Sequence, residues 1–283
     1  MTELISLVIA TYNRADAMNA VLRSLSRQSD RNFEIIVADD GSGQEIRDVI
    51  AAWKPRLGVP IKHVWHEDRG YRLPEIRNRA IRASAGDYLI FLDGDCIARP
   101  DFIAAHRGLA EPGYFVGGNR VLLSKSLTRE ILAEDLEPEC WPFSTWAILR
   151  VKREANRLLP LLGLPLGPLR KLKARRWQGV RGGNFAFYRA DLERIDGFES
   201  TFVGWGPEDS DVIIRMIRSG VLRKDGRFAT GVLHLWHKDA DRSRLAANRA
   251  KLDELLSNDR VRALRGLSAL EEDRGAVAMG RGQ

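Results

Sequence analysis

Apolar runs and polar clusters alternate regularly through the first part of the chain. Leu4–Ala10 predicts a buried strand, and Thr11-Tyr12-Asn13-Arg14 follows it as a loop. Met18, Val21, Leu22 and Leu25 then recur at helical spacing up to about Ser29. Phe33–Ala38 predicts a second strand, ended by Asp39-Asp40-Gly41-Ser42-Gly43, and Glu45–Trp53 a second helix. A third strand is predicted near Ile61–Trp65. Leu73, Ile76, Ala80 and Ile81 mark a helix ending at Ala85-Gly86, before a fourth strand at Tyr88–Leu92. Strands alternating with helices of this length predict parallel pairing and right-handed crossovers, the pattern of a nucleotide-type α/β unit.

Beyond Asp101 the alternation loosens. Tyr114–Leu122 reads as one strand, followed by a polar stretch to Glu139. Residues 158–176 combine leucines, prolines and glycines with Arg170, Lys171, Lys173, Arg175 and Arg176; the prolines exclude one continuous helix. Two readings stand for this segment: a peripheral contact that dips into an anionic membrane surface, or a core-packing hairpin whose cations face water. Asn184–Tyr188 and Val232–Trp236 predict further strands. After Asp241 the pattern is helical, with Leu245, Leu252, Leu255 and Leu256 as its apolar face. Arg274–Gln283 lacks periodicity and is expected to be disordered.

Composition narrows the class without deciding it. A chain of 283 residues, 44% hydrophobic and 29% charged, fits one sizeable globular domain or two small ones. Cys96 and Cys140 are the only cysteines, so no disulfide framework is expected and a reducing compartment is. Met1-Thr2-Glu3-Leu4 lacks a basic leader, so no signal peptide is expected, and no run is long enough to span a membrane. The formal charge of +7 suits nucleic acid, anionic lipid or phosphate-bearing substrates. A nucleic-acid face would interleave cations with aromatics; here the cations follow leucines, so nucleic acid is not expected as a partner.

Two constellations carry chemistry. Asp93-Gly94-Asp95 ends the fourth predicted strand, at the sheet edge where open α/β folds build their sites. With no adjacent Lys or Arg, the pair invites a hard divalent cation, although Asp and Gly also simply favour turns. Gly204-Trp205-Gly206-Pro207-Glu208-Asp209 precedes an amphipathic helix bearing Ile213, Met216 and Ile217. Pro207 is expected in its first turn, with Glu208 and Asp209 ionised near the positive end of the dipole. Such acids are common at helix starts. The Gly-Trp-Gly run beside them is not, and it exposes an aromatic face.

In this order, with Arg69-Gly70-Tyr71-Arg72-Leu73 and Ile76-Arg77-Asn78, the motifs resemble GT-A family 2 glycosyltransferases of the chondroitin-polymerase and β-1,4-galactosyltransferase types. The resemblance implies an α/β GT-A fold, Rossmann-like, with a mostly parallel sheet flanked by helices. It spans roughly residues 4–240 and implies a domain at 1–240, with a nucleotide-sugar half (1–110) and an acceptor half (111–240), followed by a helical extension at 241–283. It implies that Thr11, Tyr12, Asn13 and Arg14 border the nucleotide, that Asp40 contacts base or ribose, and that Arg77 approaches the diphosphate or sugar. Asp93, with Gly94 beside it, would meet the ribose and the metal shell, and Asp95 would ligate the metal. Asp209 would be the catalytic base and Glu208 would hold donor sugar or acceptor. Trp205 would face a sugar ring, and Gly182, Gly183 and Asn184 would border the acceptor.

The resemblance also places a metal ligand at His237, and in some relatives at His234; Mn2+ (or Mg2+) accepts such mixed ligands. The implied activity is inverting transfer from a nucleotide diphosphate sugar, UDP-linked, to a hydroxyl of a glycan or glycolipid in cell-surface polysaccharide synthesis. The implied location is cytoplasmic, peripheral on the inner face of the membrane. The chain lacks the Gln-x-x-Arg-Trp pattern and spanning helices of processive synthases, which favours single addition. Transfer to a polyprenyl phosphate is the alternative, but it leaves Asp209 little to do. A non-catalytic sugar-nucleotide-binding protein would not need these acids.

Overall fold

The computed structural model describes residues 4–180 and 182–270. Met1-Thr2-Glu3 and the tail expected at Arg274–Gln283 lie outside them. Strands are β1 Ile5–Thr11, β2 Phe33–Asp39, β3 Ile61–Trp65, β4 Tyr88–Asp93, β5 Cys96–Ala98, β6 Tyr114–Gly117, β7 Asn119–Leu122, β8 Asn184–Tyr188, β9 Leu222–Asp225 and β10 Gly231–His234. Helices are α1 Ala15–Ser26, α2 Gln44–Trp53, α3 Leu73–Ala83, α4 Phe102–Leu109, α5 Lys125–Ala133, α6 Phe143–Val151, α7 Arg189–Arg194, α8 Glu208–Arg218 and α9 Leu245–Leu256.

Seven strands form the main sheet in the order β3-β2-β1-β4-β8-β6-β9. The first four run parallel, and β8 enters antiparallel between β4 and β6. β1, β2 and β4 are largely apolar because both faces are covered, and the buried polar side chains Ser6 and Glu34 within them hydrogen-bond to each other. Leu7, Ile9, Ile35 and Val37 pack with Met18, Leu22 and Leu25 of α1 on one side. Val8, Ile36, Leu89 and Phe91 meet Ile76 and Ile81 of α3 and Val212 and Met216 of α8 on the other.

A second sheet, β5-β10-β7, has β10 antiparallel to β5 and parallel to β7. The single strand expected at Tyr114–Leu122 is therefore two, in different sheets. The break falls at Gly118, where a β-carbon would lie 2.4 Å from the Asn184 side chain. The polar stretch before Glu139 contains α5, capped by Ser124 and buried through Leu127 and Ile131. The strand expected at Val232–Trp236 stops at His234. Residues 158–176 form neither a helix nor a hairpin but two short 3-10 turns, Leu159–Leu161 and Gly167–Lys171. Leu267, beyond α9, is buried in the same cluster as α8. No helix among the described residues is long and apolar enough to cross a membrane.

Candidate active site

The carboxyl ends of β3, β2, β1 and β4 line one rim of the main sheet, the usual place for a site in an open α/β fold. At the end of β1, Asn13 takes a left-handed conformation (φ 48°). Its N–H donates to Ser42 Oγ at 2.9 Å and its Oδ1 accepts from the Gly43 N–H, which joins the loops after β1 and β2. Tyr12 is exposed and donates its hydroxyl to Asp68 at 2.9 Å. Arg14 pairs with Asp16, while Thr11 is buried with its hydroxyl unpartnered among the described residues.

Asp40 is buried. It accepts from the Arg72 N–H at 2.8 Å and lies 2.6 Å from His66 Nε2. Burial opposes charge on His66, but Asp40 and Glu75 outweigh it and raise its pKa to about 9. Asp40 is thus tied to a ring that stays cationic at neutral pH, and no local motif announced that partner.

Asp93 ends β4, and Asp95 sits in the turn into β5. The Leu235 N–H donates to the Asp95 carbonyl at 2.9 Å, and His234 pairs with Cys96 across the β10–β5 ladder. This register brings His234 Nε2 to 3.6 Å and His237 Nε2 to 3.4 Å from the Asp95 carboxylate. His237 Nδ1 donates to the Lys238 carbonyl at 2.8 Å, which leaves Nε2 facing Asp95 as a lone-pair donor. Burial holds His234 below the ordinary imidazole range, with partial compensation from Asp95. The three ligand atoms lie within 4.8 Å of one another. One carboxylate and two imidazoles at that span fit a borderline divalent cation, with coordination positions left open.

Arg77 of α3 links the two constellations. Its guanidinium donates to Asp209 at 3.0 Å, to Asp93 at 3.4 Å and to the Gly182 carbonyl at 3.3 Å, and it lies over the rings of Phe185 and Phe198. It is 1% exposed. Expected at the diphosphate or sugar, Arg77 is instead a buried strut between two acids. Arg120 of β7, not anticipated from any spacing, supplies a second cation to Asp93 at 3.3 Å.

Asp209 lies in the first turn of α8, with Pro207 just ahead of the helix rather than inside it. Its other oxygen accepts from the Gly182 N–H at 2.7 Å. A β-carbon on Gly182 would fall 2.0 Å from Asp209, and one on Gly183 would fall 2.3 Å from Asp93. These glycines let the backbone reach both acids. Gly94 is similarly confined, with the Ala10 carbonyl 2.8 Å from its missing β-carbon.

Glu208 was expected to be ionised, but burial and the neighbouring Asp209 push it well above the usual carboxylate range, and Oε2 has no partner among the described residues. The adjacent acids therefore occupy different environments, an arrangement that separates proton donor from acceptor. Asn184 was expected beside the acceptor. It is buried, with its amide donating to the Asn119 and Thr230 carbonyls, and it holds the two sheets together.

The Gly204-Trp205-Gly206 loop reaches across to the segment between β3 and α3, where the Gly204 N–H donates to the Tyr71 carbonyl at 2.9 Å. Trp205 is partly exposed under the Arg242 guanidinium at 5.1 Å. Behind the loop, buried Asn248 of α9 directs one amide nitrogen at the carbonyls of Val203, Gly204 and Trp205, at 3.1, 3.3 and 3.2 Å. A lone Asn in a charged helix gave no sign of this role.

Residues 6–170 match the profile of glycosyl transferase family 2, and residues 171–238 that of the N-terminal domain of galactosyltransferase. The chain is 32% identical over 241 residues to validoxylamine A glucosyltransferase of Streptomyces hygroscopicus, covering 81% of this chain and 55% of that one. It is 29% identical over 239 residues to the chondroitin synthase of Escherichia coli, covering 76% and 32%. The chain thus spans about half the length of the first of these relatives and a third of the second.

Among solved structures, the mannosyltransferase PcManGT from Pyrobaculum calidifontis, in complex with GDP-Man and Mn2+, superposes with a TM-score of 0.57 at 16% identity. It covers 98% of this chain and 81% of that one. Staphylococcus aureus TarS 1–349 with UDP-GlcNAc also gives 0.57, at 13% identity over 83% of this chain and 59% of that one. These likenesses show the GT-A fold.

Proposed function

The chain belongs to glycosyl transferase family 2, a nucleotide-sugar glycosyltransferase, and from that premise we propose a metal-dependent, inverting transfer from a UDP-sugar to a hydroxyl of a glycan or glycolipid. The observation that carries this reading is the Arg77 junction. One buried guanidinium fixes Asp209, at the start of α8, against Asp93, at the end of β4. An acid held there, next to an exposed Trp, is placed to act on an acceptor.

The acceptor hydroxyl gives its proton to Asp209 as its oxygen bonds to the anomeric carbon, and the bond from that carbon to the diphosphate oxygen breaks. Attack opposite the leaving group inverts the centre. Arg77 and the Gly182 N–H keep the Asp209 carboxylate from turning away, and each oxygen retains a lone pair for the incoming hydroxyl. Glu208, holding its proton, donates a hydrogen bond to a sugar oxygen. Trp205 offers an apolar face to a ring. A divalent ion bound by Asp95, His237 and His234 would supply Lewis-acid stabilisation of the leaving diphosphate.

The direct test is UDP release from a panel of UDP-sugars by the purified protein, with Mn2+ or with EDTA. Slow release from one sugar that EDTA abolishes supports the reading. Absence of both release and Mn2+-dependent UDP binding would falsify the UDP donor.

Two variants refine it. Asp95→Ala is expected to weaken UDP binding in Mn2+ by roughly tenfold or more and to erase the difference that EDTA makes, since Asp95 is one of the three residues that would hold the ion. Unchanged calorimetric binding would remove Asp95 from the metal site. Asn248→Asp keeps the volume but turns a carboxylate toward three carbonyls. It is expected to lower kcat/KM for the acceptor by ~10–100-fold through displacement of the Trp205 loop, with acceptor-free UDP release unchanged. An equal loss in both assays would mean general disruption instead.

A further inference from the structure

We propose that residues 143–176 form a docking surface for an anionic lipid bilayer, built from α6 together with the two 3-10 turns that follow it. The charge distribution is the first observation. This segment holds nine Lys and Arg against one acid, Glu154, a surplus of eight in a chain whose whole surplus is seven. The rest of the molecule is therefore close to neutral, with one net negative charge. Glu154 is itself engaged by the hydroxyls of Ser124 and Ser126.

The second observation is that large apolar side chains in the same segment face outward. Val151 is 85% exposed and Leu172 78%, and Phe143, Ile148, Leu159 and Leu169 are exposed as well. The segment is nevertheless anchored. Trp146, Ala155 and Leu161 are buried in the cluster beneath the second sheet. Arg170 is buried and donates to the carbonyls of Leu164, Asp225 and Arg227. These outward apolar side chains are thus held in place on a folded scaffold.

Cations select the occupant. Lys171 is committed to Glu111. Arg150, Lys152, Arg153, Lys173, Arg175 and Arg176 are exposed, and among the described residues none of them forms an ion pair. A second copy of this chain would bring the same positive surface and be repelled. Nucleic acid would match the charge but calls for stacking aromatics, whereas the outward side chains here are mostly aliphatic. Aliphatic side chains interleaved with basic ones match the acyl-chain boundary under anionic headgroups.

The experiment is flotation of the full chain with vesicles of phosphatidylcholine alone or with about one-third phosphatidylglycerol, a content that gives a strong negative surface. Binding at least roughly tenfold tighter to the anionic vesicles is expected, weakening as salt is raised. The double variant Val151→Glu, Leu172→Glu should lose it while keeping its melting temperature and its acceptor-free UDP release. Lys173→Glu with Arg175→Glu should lose it too. Equal binding to both vesicles, no binding to either, wild-type flotation by the variants, or stronger binding to a single-stranded oligonucleotide would each overturn the proposal. None of these readouts requires turnover, so the outcome is independent of the catalytic reading.

Discussion

Asp209→Asn should lower turnover by ~10²–10⁴-fold, the usual worth of a positioned general base, while UDP affinity in Mn2+ stays within about twofold of the parent. The split follows from placement. Asp209 touches Arg77 and the Gly182 N–H, and the Asp95–His234–His237 cluster is built from other elements. Initial rates with the identified acceptor, set beside UDP titration, give both numbers. Both Asp209 oxygens accept from donors, so the amide of Asn must point one N–H at another. A stability loss of about 1–3 kcal/mol is expected from that mismatch and is followed by thermal melting. Loss of turnover together with loss of UDP binding would take Asp209 out of the base role.

Arg77→Met should be the most destabilising single change at the site. It removes the cation shared by Asp93 and Asp209 from a fully buried position. Stranding the partners of a buried ion pair costs ~3–5 kcal/mol. Both acids are about a quarter exposed, so the lower end applies, and a fall in Tm of roughly 6–12 °C follows for a chain of this size. Turnover should fall with it, because the base loses its orientation. Arg77→Lys keeps the charge but cannot reach both acids with one planar fork. It should recover part of the Tm and little of the turnover. A raised donor KM with an unchanged Tm would instead show Arg77 in contact with the diphosphate.

Much of this was legible in the chain. β1, β2 and β4 announced themselves because strands covered on both faces must be largely apolar, and the acids that end β2 and β4 sit at the sheet edge where that constraint lifts. The Asp95 turn was likewise visible as acids at a strand end, whereas His237 was expected from the family resemblance alone; the fold brings the two to 3.4 Å. What stayed hidden depends on partners far apart in sequence. Arg77 reads as one more cation on an amphipathic helix, and only the approach of α8 and β4 turns it inward. Asn184 looked like a polar residue at a strand start, yet it fills the gap that Gly118 leaves and joins two sheets. The ionised Glu208 expected from the helix dipole was overruled by desolvation, which depends on what packs above it. Tyr114–Leu122 misled because hydrophobic periodicity does not say which sheet a strand joins.

The fit between α9 and the tryptophan loop sets what can be exchanged with a relative. A β-carbon on Gly204 would meet Arg244 at 2.9 Å, and one on Gly206 would meet Asn248 at 2.7 Å. Loop and helix are thus cut to each other's shape, although the family profiles stop at residue 238. A chimera that imports another enzyme's loop alone would set foreign side chains against a helix that leaves them no room. Transplanted as one cassette with its helix, the loop carries its own mould.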